Sequence, residues 1–467
     1  MARILLIKSR NLKRIQSGAT PPLGIMYLAA YIREKRHDKV MIKDLLFIDD
    51  LDKELVRIIS QFNPSIVGIS AITNEAENLH KIASIVKVYN PKIKLIIGGP
   101  YVSSFKSEAM SDENIDIGVI GEGEETFVEL LNKLENDTID LSSVNGIIYK
   151  YNNKIISTQQ RPYIYDLDML PFPAYDLIDI NAYKRFKGES TARLGKYTVV
   201  LTSRGCPFHC IYCHNMFGKR FRARSVQNVI DEMEMLIKNY EIRHFEIIDD
   251  IANFDKERFK SLLRKIINKN WDIKLSFPNG VRTDLLDEEA VDLMKKGGTA
   301  ELSIAIETAS PRLQKFIKKN LNLEKVRKII ERAVYNGMFV RGFFMLGFPT
   351  ETEDELKTTI NFAIHSKLHL ALFLIVIPFK GTELYEQVSY NGIFDKPIDA
   401  DYYTMPFNLS NVPDKVFFRL YRYAYIRFYL NPKRIIRILM AKPSLRDLPG
   451  LGFRVLKYML IKPKEKL

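Results

Sequence analysis

The chain has 467 residues, which is too many for one ordinary hydrophobic core and predicts two or three domains. Its apolar fraction of 46% and its charged fraction of 27% are ordinary for a soluble globular protein. The N-terminal segment lacks the basic region, long apolar stretch and cleavage site of a secretory signal, and the longest apolar run, residues 370–379, is much shorter than the roughly 20 residues of a membrane span. We therefore expect a cytoplasmic protein.

Residues 1–145 alternate strand-like apolar runs with amphipathic helical runs, beginning with the strand ARILLIKS and the helix GIMYLAAYIREKR. This alternation predicts an α/β domain built on a doubly wound, Rossmann-like parallel sheet. Such sheets bind ligands beyond the carboxyl ends of their strands, at the point where the strand order reverses. The distinctive turns of this region fall at such ends, namely PPLG at 21–24, SAIT at 70–73, GGP at 98–100 and GEGEET at 121–126.

Residues 146–195 are interpreted as a connector, with a hairpin around Asn152 and Asn153 and two prolines in LPFPAYDLI. Over 196–385, six further strand-like runs alternate with helical runs and predict an incomplete parallel barrel, a partial (β/α)6 fold. Residues 386–467 are interpreted as a basic, aromatic, helical C-terminal region. The chemistry of such a barrel lies at the carboxyl ends of its strands, and the first strand leads directly into a cysteine-rich stretch.

All three cysteines of the chain, Cys206, Cys210 and Cys213, lie within eight positions of the stretch RGCPFHCIYCHNMFGKRFRARS. In a reducing compartment, three clustered thiols favour a metal over disulfides. They can bind three corners of a [4Fe–4S] cluster and leave the fourth iron open to a substrate or cofactor, and the spacing favours this interpretation. Zinc is the alternative, with His214 as a feasible fourth ligand, whereas His209 directly precedes Cys210 and is poorly placed.

The segment CPFHCIYC after the first barrel strand resembles the CxxxCxxC signature of radical S-adenosylmethionine (radical SAM) enzymes. The turns PPLG, GGP and GEGEETF are similar to those of the cobalamin-binding domain in the subgroup that uses both cofactors. The resemblance covers nearly the whole chain and is strongest to the anaerobic magnesium-protoporphyrin monomethyl ester cyclases and the class B methyltransferases. It implies a [4Fe–4S] cluster on the three cysteines, bound S-adenosylmethionine, bound cobalamin, and flavodoxin or ferredoxin as the reductant.

For the N-terminal domain, a corrin ring needs close approach of the backbone, which glycines at strand ends permit. The alternative is that these glycines only form tight βα turns. The Asp-x-His-x-x-Gly motif that supplies an axial imidazole is missing, since His37 and His80 lie in other contexts, so we expect no histidine below the cobalt. The expected cobalamin contacts are Leu23, Gly24, Ser70, Thr73, Gly98, Gly99, Pro100, Gly121, Glu122, Gly123, Glu124 and Thr126.

For the barrel, the resemblance implies that Tyr212 packs against the adenine of S-adenosylmethionine and that Glu307 contacts its methionine amine or ribose. Asp249 and Asp250 are neighbours in an extended segment and cannot both point inward, so one of them is structural. The pattern identifies no proton donor or other catalytic side chain. The remaining residues expected at this cofactor are Asp250, Asn253, Asn279, Arg282, Gly342, Met345, Gly347, Pro349 and Ile377.

The positive charge of the chain is concentrated in its tail. Residues 411–467 hold 14 Lys and Arg against 3 Asp and Glu, so +11 of the net +14 lies there, among many aromatic and aliphatic residues. A basic amphipathic segment of this kind suits a peripheral contact with an anionic membrane or a lipid-like substrate. The alternative is a helix packed on the barrel with a solvated basic face. We do not expect nucleic acid as a partner.

These features predict a cobalamin-dependent radical enzyme that cleaves S-adenosylmethionine reductively to a 5′-deoxyadenosyl radical. We expect it to methylate an unactivated carbon of a hydrophobic substrate, either lipid-like or macrocyclic. The alternative is a non-methylating oxidation, cyclisation or ring rearrangement of a tetrapyrrole or polycyclic lipid. RNA modification ranks lower, because related methylthiotransferases carry three further cysteines and an RNA-binding module that this sequence lacks.

Overall fold

A computed structural model describes residues 1–11, 19–135, 140–186, 188–191, 194–214, 216–389 and 408–441, together with positions 452 and 456. The chain divides into two compact units. The first comprises Met1–Tyr183 with Met216–Gly218, and the second comprises Lys184–Asn215 with Lys219–Leu467.

The first unit contains a seven-stranded sheet in the order β2-β1-β3-β4-β5-β6-β7. Strands β1 (Arg3–Lys8), β2 (Lys39–Asp44), β3 (Ile66–Ser70), β4 (Lys94–Gly98) and β5 (Ile117–Val119) are parallel. The order of these five is that of a doubly wound sheet, with its switch point between β1 and β3. The predicted Rossmann-like fold is therefore confirmed.

Two antiparallel strands, β6 (Ile147–Tyr151) and β7 (Lys154–Ser157), extend this sheet beyond β5. Asn152 and Asn153 connect them with φ of 49° and 60°, the left-handed pair that a tight two-residue hairpin needs. The predicted hairpin is thus confirmed. The helices of this unit are α1 (Leu23–Lys35), α2 (Leu51–Phe62), α3 (Ala76–Tyr89), α4 (Pro100–Phe105) and α5 (Glu124–Leu134).

The second unit is built on a six-stranded, all-parallel sheet in the order β8-β11-β12-β13-β14-β15, which is the predicted partial barrel. A short antiparallel pair, β9 (Ser203–Arg204) and β10 (Arg222–Ala223), flanks the cysteine stretch. The barrel strands are β8 (Tyr197–Val200), β11 (His244–Ile247), β12 (Lys274–Val281), β13 (Thr299–Glu307), β14 (Phe339–Leu346) and β15 (Leu370–Ile375). The helices around them are α6 (Val226–Tyr240), α7 (Lys256–Asn268), α8 (Glu288–Lys296), α9 (Pro311–Phe316), α10 (Leu323–Tyr335), α11 (Glu353–His365) and α12 (Glu383–Ser389).

Buried polar side chains fill the barrel toward the amino ends of its strands. Glu246 accepts backbone N–H bonds from Glu189 (2.8 Å) and Ser190 (2.9 Å), so the chain before β8 is bound to the barrel interior. Glu301 receives the Thr191 amide at 2.8 Å and lies 3.3 Å from the Arg341 guanidinium. These bonds tie the segment before β8 to the amino end of the barrel, while the cysteine stretch follows β8 at the carboxyl end, where the chemistry of such barrels lies.

The open edge of the barrel is covered by a tyrosine pair on helix α13 (Asp414–Tyr429). The Tyr425 hydroxyl accepts from the Phe373 N–H (3.2 Å) and donates to the Phe373 carbonyl (3.0 Å). The Tyr429 hydroxyl does the same for Ala371, at 3.2 and 2.8 Å. Four helical residues rise about 6 Å, close to the advance of two strand residues, so the spacings match. The pair thus satisfies edge groups that would otherwise invite another strand.

Helix α14 (Pro432–Met440) follows and is tied down by one buried cation. The Arg434 guanidinium donates to the carbonyls of Ile364 (2.8 Å) and Ser366 (3.0 Å) at the end of α11, and it lies 3.4 Å from the centre of the Phe428 ring. The predicted helical C-terminal region is confirmed by α13 and α14, whereas most of the predicted basic tail after Ala441 lies outside the described residues. None of the helices in the described part of the chain is long and apolar enough to cross a bilayer.

The tyrosine pair gives a first prediction. Tyr425→Phe and Tyr429→Phe each remove two hydrogen bonds from the edge of β15, so we expect each to lower the free energy of unfolding by about 1–3 kcal/mol. Differential scanning calorimetry measures the change. Tyr423→Phe is the matched control, because this hydroxyl-bearing ring lies on the exposed side of the same helix. Equal stability of all three variants would contradict the proposed role of the pair.

Candidate functional site

The cysteine loop lies between β9 and β10 and is anchored by Ile211, the residue directly after its second cysteine. Ile211 is 1% exposed and packs in an apolar cluster with Ile317, Phe348 and Leu384. Its N–H donates to the Ile317 carbonyl (3.2 Å), and its own carbonyl accepts from the Leu384 N–H (2.8 Å). Burial and backbone bonds therefore fix the loop, while the flanking Cys210 and Cys213 are left to bind a ligand.

Two of the thiols, those of Cys206 and Cys213, have environments that favour the protonated form when no metal is present. Burial raises the pKa of Cys206, and the pKa of Cys213 is raised to about 12, first by desolvation and then by the charges of Cys210 and Cys206. A metal centre reverses this preference because it binds the thiolate. Over the described residues, no three His, Cys, Asp or Glu side chains converge as ligands of a single ion would. Cluster ligands bind different irons of a cubane and need not converge.

Arg282, expected at S-adenosylmethionine, contacts the cysteine loop. Its guanidinium lies 3.6 Å from the centre of the Phe208 ring, between Cys206 and Cys210, and donates to the Lys319 carbonyl at 2.5 Å. The amide of Asn253 bonds both backbone groups of Arg282, at 2.8 and 3.1 Å. Asn253 is 1% exposed, so its side chain joins two strand-end loops and is occupied in this structure.

The strand-end carboxylate Glu307 lies within a compact charged group. Its Oε1 accepts from the Tyr212 hydroxyl at 3.2 Å and from the Lys319 ammonium at 2.8 Å. Glu307 has φ of 65°, a left-handed conformation that is costly for a residue with a side chain and is found disproportionately at functional sites. The structure thus brings two predicted residues together with Lys319, which sequence reasoning missed. Nothing in the sequence around KKN signals that Lys319 returns to the end of β13.

The two aspartates after β11 differ in role, as expected. Asp249 is 2% exposed and binds the Thr202 amide and hydroxyl, both at 2.6 Å, so it is the structural one. Asp250 accepts from the Gly205 N–H at 3.2 Å, beside Cys206, and its pKa is raised, chiefly by desolvation. Asn279 donates to the Ile248 carbonyl at 2.6 Å and remains exposed.

The segment after β14 carries the remaining predicted contacts. Met345 and Gly347 lie at the end of the strand, where Met345 packs in the same apolar cluster as Ile211 and Gly347 has φ of 94°. Gly342 stands apart, because a Cβ there would come within 2.5 Å of Leu368, and packing alone explains this glycine. Pro349 is half-buried in the loop, and Ile377 is 1% exposed just after β15.

In the first unit, two predicted glycines border open space, Gly24 in the first turn of α1 and Gly121 just after β5. A Cβ on Gly24 or Gly121 would meet no atom within 4 Å, and Gly121 has φ of 81°. Gly99 has φ of 90° and a Cβ would lie 2.8 Å from the Ser70 hydroxyl, so the turn itself requires glycine. The open positions fit a large flat ligand approaching the backbone.

The other predicted cobalamin contacts have mixed placements. Thr126 is fully buried and its hydroxyl accepts from Arg161 at 2.8 Å. Glu122 accepts the Ile164 N–H at 2.8 Å and is similarly occupied. The remaining predicted contacts lie at or next to the ends of helices and strands. They are Leu23, Ser70, Thr73, Gly98, Pro100, Gly123 and Glu124.

Glu351 gives a pH prediction. Burial raises its pKa to about 8 while the amides of Gly347 and Phe348 bind it, so the folded chain keeps a proton that the unfolded chain releases above about pH 4.5. The free energy of unfolding should therefore fall as pH rises from about 4.5 to about 8. We expect the stability of Glu351→Gln relative to the parent to increase by about 3 kcal/mol between about pH 5 and pH 8, measured by urea denaturation.

Glu353→Gln is the matched control. The Glu353 carboxylate is exposed at the start of α11, the helix that follows Glu351, and its pKa is lowered, chiefly by a hydrogen bond from Lys357. That variant should show no such trend over this range. A stability difference for Glu351→Gln that is independent of pH would contradict the protonated assignment.

Comparison with known proteins agrees with this geometry. The family model of the radical SAM superfamily matches residues 200–363, and that of the B12 binding domain matches residues 17–131. An uncharacterized methyltransferase of Pyrococcus horikoshii is 35% identical over 434 residues, covering 91% of each chain. The cytidylyl-2-hydroxyethylphosphonate methyltransferase of Streptomyces wedmorensis is 30% identical over 447 residues, covering 84% of this chain and 82% of that protein.

Among solved structures, the radical S-adenosylmethionine methyltransferase TsrM from Kitasatospora setae superimposes with a TM-score of 0.71 at 18% identity. The match covers 85% of this chain and 80% of that one, and at this identity it supports the fold. Both modules are therefore matched in the predicted order, and the sequence relatives span nearly the whole chain. The chain belongs to the cobalamin-dependent radical S-adenosylmethionine methyltransferase family, an enzyme family whose cofactors are a [4Fe–4S] cluster, S-adenosylmethionine and cobalamin.

Proposed function

We propose that this enzyme uses S-adenosylmethionine for radical formation and for methyl supply, and that it methylates an unactivated carbon of a hydrophobic substrate. The observation that carries the proposal is the group formed by Glu307, Lys319 and Tyr212 beside the three-cysteine loop. The Glu307 carboxylate and the Lys319 ammonium lie 2.8 Å apart. They complement, respectively, the ammonium and the carboxylate at the methionine end of S-adenosylmethionine. When bound, the cluster supplies the electron for cleavage and cobalamin carries the methyl group.

The residues of this chain have distinct tasks in that proposal. Cys206, Cys210 and Cys213 hold the cluster, and Ile211 fixes their loop. Glu307 and Lys319 orient the methionine end, while Tyr212 lies between them and the cysteines and offers its ring to the adenine. Arg282 and Asn253 act as positioning residues, since they hold Phe208 and the loops without needing to touch the cofactor. Gly24 and Gly121 leave room for the corrin ring.

Aromatic side chains around the cysteine loop favour an apolar substrate. Phe254 is 37% exposed and contacts Phe208 and Phe221, with ring centres 6.1 and 5.2 Å away. On another side of the loop, Phe379 lies 5.7 Å from His214. The relative from Streptomyces wedmorensis is named for a cytidylyl-linked phosphonate, so family membership by itself does not specify an apolar substrate. The exposed ring of Phe254 and the half-buried rings around it are the feature that supports an apolar substrate here.

The charged group yields a prediction for cofactor cleavage. Lys319→Met removes the cation beside Glu307, so we expect 5′-deoxyadenosine formation under a strong reductant to fall at least about tenfold. Iron and cobalamin contents should stay unchanged, because Lys319 binds neither. Lys318→Met is the matched control, since this neighbour pairs with Glu383 on the surface, and it should retain activity within about twofold. Unchanged apparent affinity for S-adenosylmethionine in Lys319→Met would contradict the assignment.

The complete function is tested by anaerobic reconstitution of the purified chain. We expect about four irons and one cobalamin per chain, and 5′-deoxyadenosine on reduction. Cys210→Ala should abolish cleavage while cobalamin stays bound, whereas His209→Ala, one position away, should retain both. Methyl-deuterated S-adenosylmethionine, supplied with apolar extracts, should yield a product heavier by one labelled methyl group. Iron without cobalamin, or an oxidised product lacking the label, would contradict methyl transfer and favour the cyclase-like alternative.

A further inference from the structure

The outward faces of α13 and α14 expose an unusual set of large apolar side chains. On α14, Ile436, Leu439 and Met440 are 56%, 49% and 74% exposed, and Ile435 is also exposed. Leu430, between the helices, is 65% exposed. A surface helix of a globular protein normally turns such a face toward the core, so a contiguous exposed set marks an interaction site.

The exposed side chains form one face because of their spacing. Ile435, Ile436, Leu439 and Met440 recur at the intervals that lie together on a helix, while Arg434 and Ile438 occupy the buried side. On α13 the exposed side includes Tyr423 and Ile426, opposite the buried Tyr425 and Phe428. The bonds of Tyr425, Tyr429 and Arg434 to the barrel thus hold the apolar face outward.

The charges around this face are almost all positive. Arg419, Arg422 and Arg427 extend from the exposed side of α13, and Lys433 is exposed beside the apolar side of α14. Asp414 is the single acidic residue between positions 411 and 441. An apolar strip bordered by arginine and lysine has the composition of helices that lie in the headgroup layer of anionic membranes.

We propose that the α13–α14 face docks the enzyme peripherally on an anionic lipid surface, with the aliphatic side chains of α14 entering the headgroup layer. Charge complementarity selects negatively charged lipid, and the aliphatic strip distinguishes lipid from nucleic acid. Nucleic acid is bound by cations together with stacking aromatic rings, and Ile435, Ile436 and Leu439 can neither stack on bases nor pair with phosphates. The proposal is independent of the reaction at the barrel, because none of these residues belongs to the cofactor site.

The test is cosedimentation of the full-length protein with sucrose-loaded vesicles at about 0.15 M salt. We expect binding to phosphatidylcholine vesicles that contain about one third phosphatidylglycerol, and weaker binding to pure phosphatidylcholine. Ile436→Gln combined with Leu439→Gln should reduce the partition coefficient at least about tenfold. Arg422→Gln and Arg427→Gln should each reduce it about fivefold. These side chains are exposed, so the fold should be preserved, which circular dichroism can check.

The matched controls replace exposed apolar and cationic side chains that lie away from α13 and α14. Val88→Gln with Tyr335→Gln removes two side chains that are 83% and 84% exposed on other helices, and Lys53→Gln removes an exposed cation. These variants should bind vesicles as the parent does. The proposal is overturned if the parent does not bind anionic vesicles, if the α14 variant binds equally well, or if binding is lost only on deleting residues 442–467. Retention on RNA without vesicle binding would overturn it in favour of nucleic acid.

Discussion

The candidate site depends on the burial of one aliphatic side chain between two cysteines. Ile211 occupies an apolar cluster at the carboxyl ends of the barrel strands, and its two backbone groups are bonded to Ile317 and Leu384. A loop that carries three thiols would otherwise be free to collapse or to oxidise. Because Ile211 is held from both sides, the neighbouring Tyr212 is directed to Glu307, and the cysteines remain at the surface of the loop. Binding of a cluster then requires little reorganisation of the chain.

The barrel separates stability from chemistry along its axis. Toward the amino ends of the strands, Glu246 and Glu301 are buried and accept backbone N–H bonds from the segment that enters β8, and Glu301 also lies beside the Arg341 guanidinium. Toward the carboxyl ends, Glu307 adopts a left-handed conformation and Glu351 holds a carboxyl whose pKa is raised to about 8. The left-handed backbone of Glu307 and the raised pKa of Glu351 thus lie at the end where cofactors are expected, while the opposite end binds the segment that enters the barrel.

Much of this could be predicted because the signals are local in sequence. Alternating strand and helix patterns predicted both folds, the spacing of Cys206, Cys210 and Cys213 favoured a cluster over zinc, and the resemblance to radical S-adenosylmethionine enzymes implied its chemistry. Contacts between residues that only the folded chain brings together could not be predicted from the sequence. Lys319 meets Glu307 only because the loop after α9 turns back, and nothing in its sequence context announces this. Conversely, Asn253 and Thr126 have residue types suited to ligand binding, yet backbone and Arg161 partners brought by the fold already occupy them. Residue type indicates capacity, and tertiary contacts decide how it is used.

The tyrosine pair on α13 also determines how the chain can be divided. An incomplete barrel has an edge strand by construction, and here the backbone groups of Phe373 and Ala371 are closed by side chains from more than 50 residues later. Helix α13 is consequently part of the barrel, although its composition looks like that of a dispensable basic tail. A truncated chain that ends before Tyr429 would expose backbone groups of β15, which could then pair with a strand of another molecule. A loss of activity in such a variant would therefore reflect aggregation. A separable C-terminal segment can begin only after Ala441, where α14 has ended.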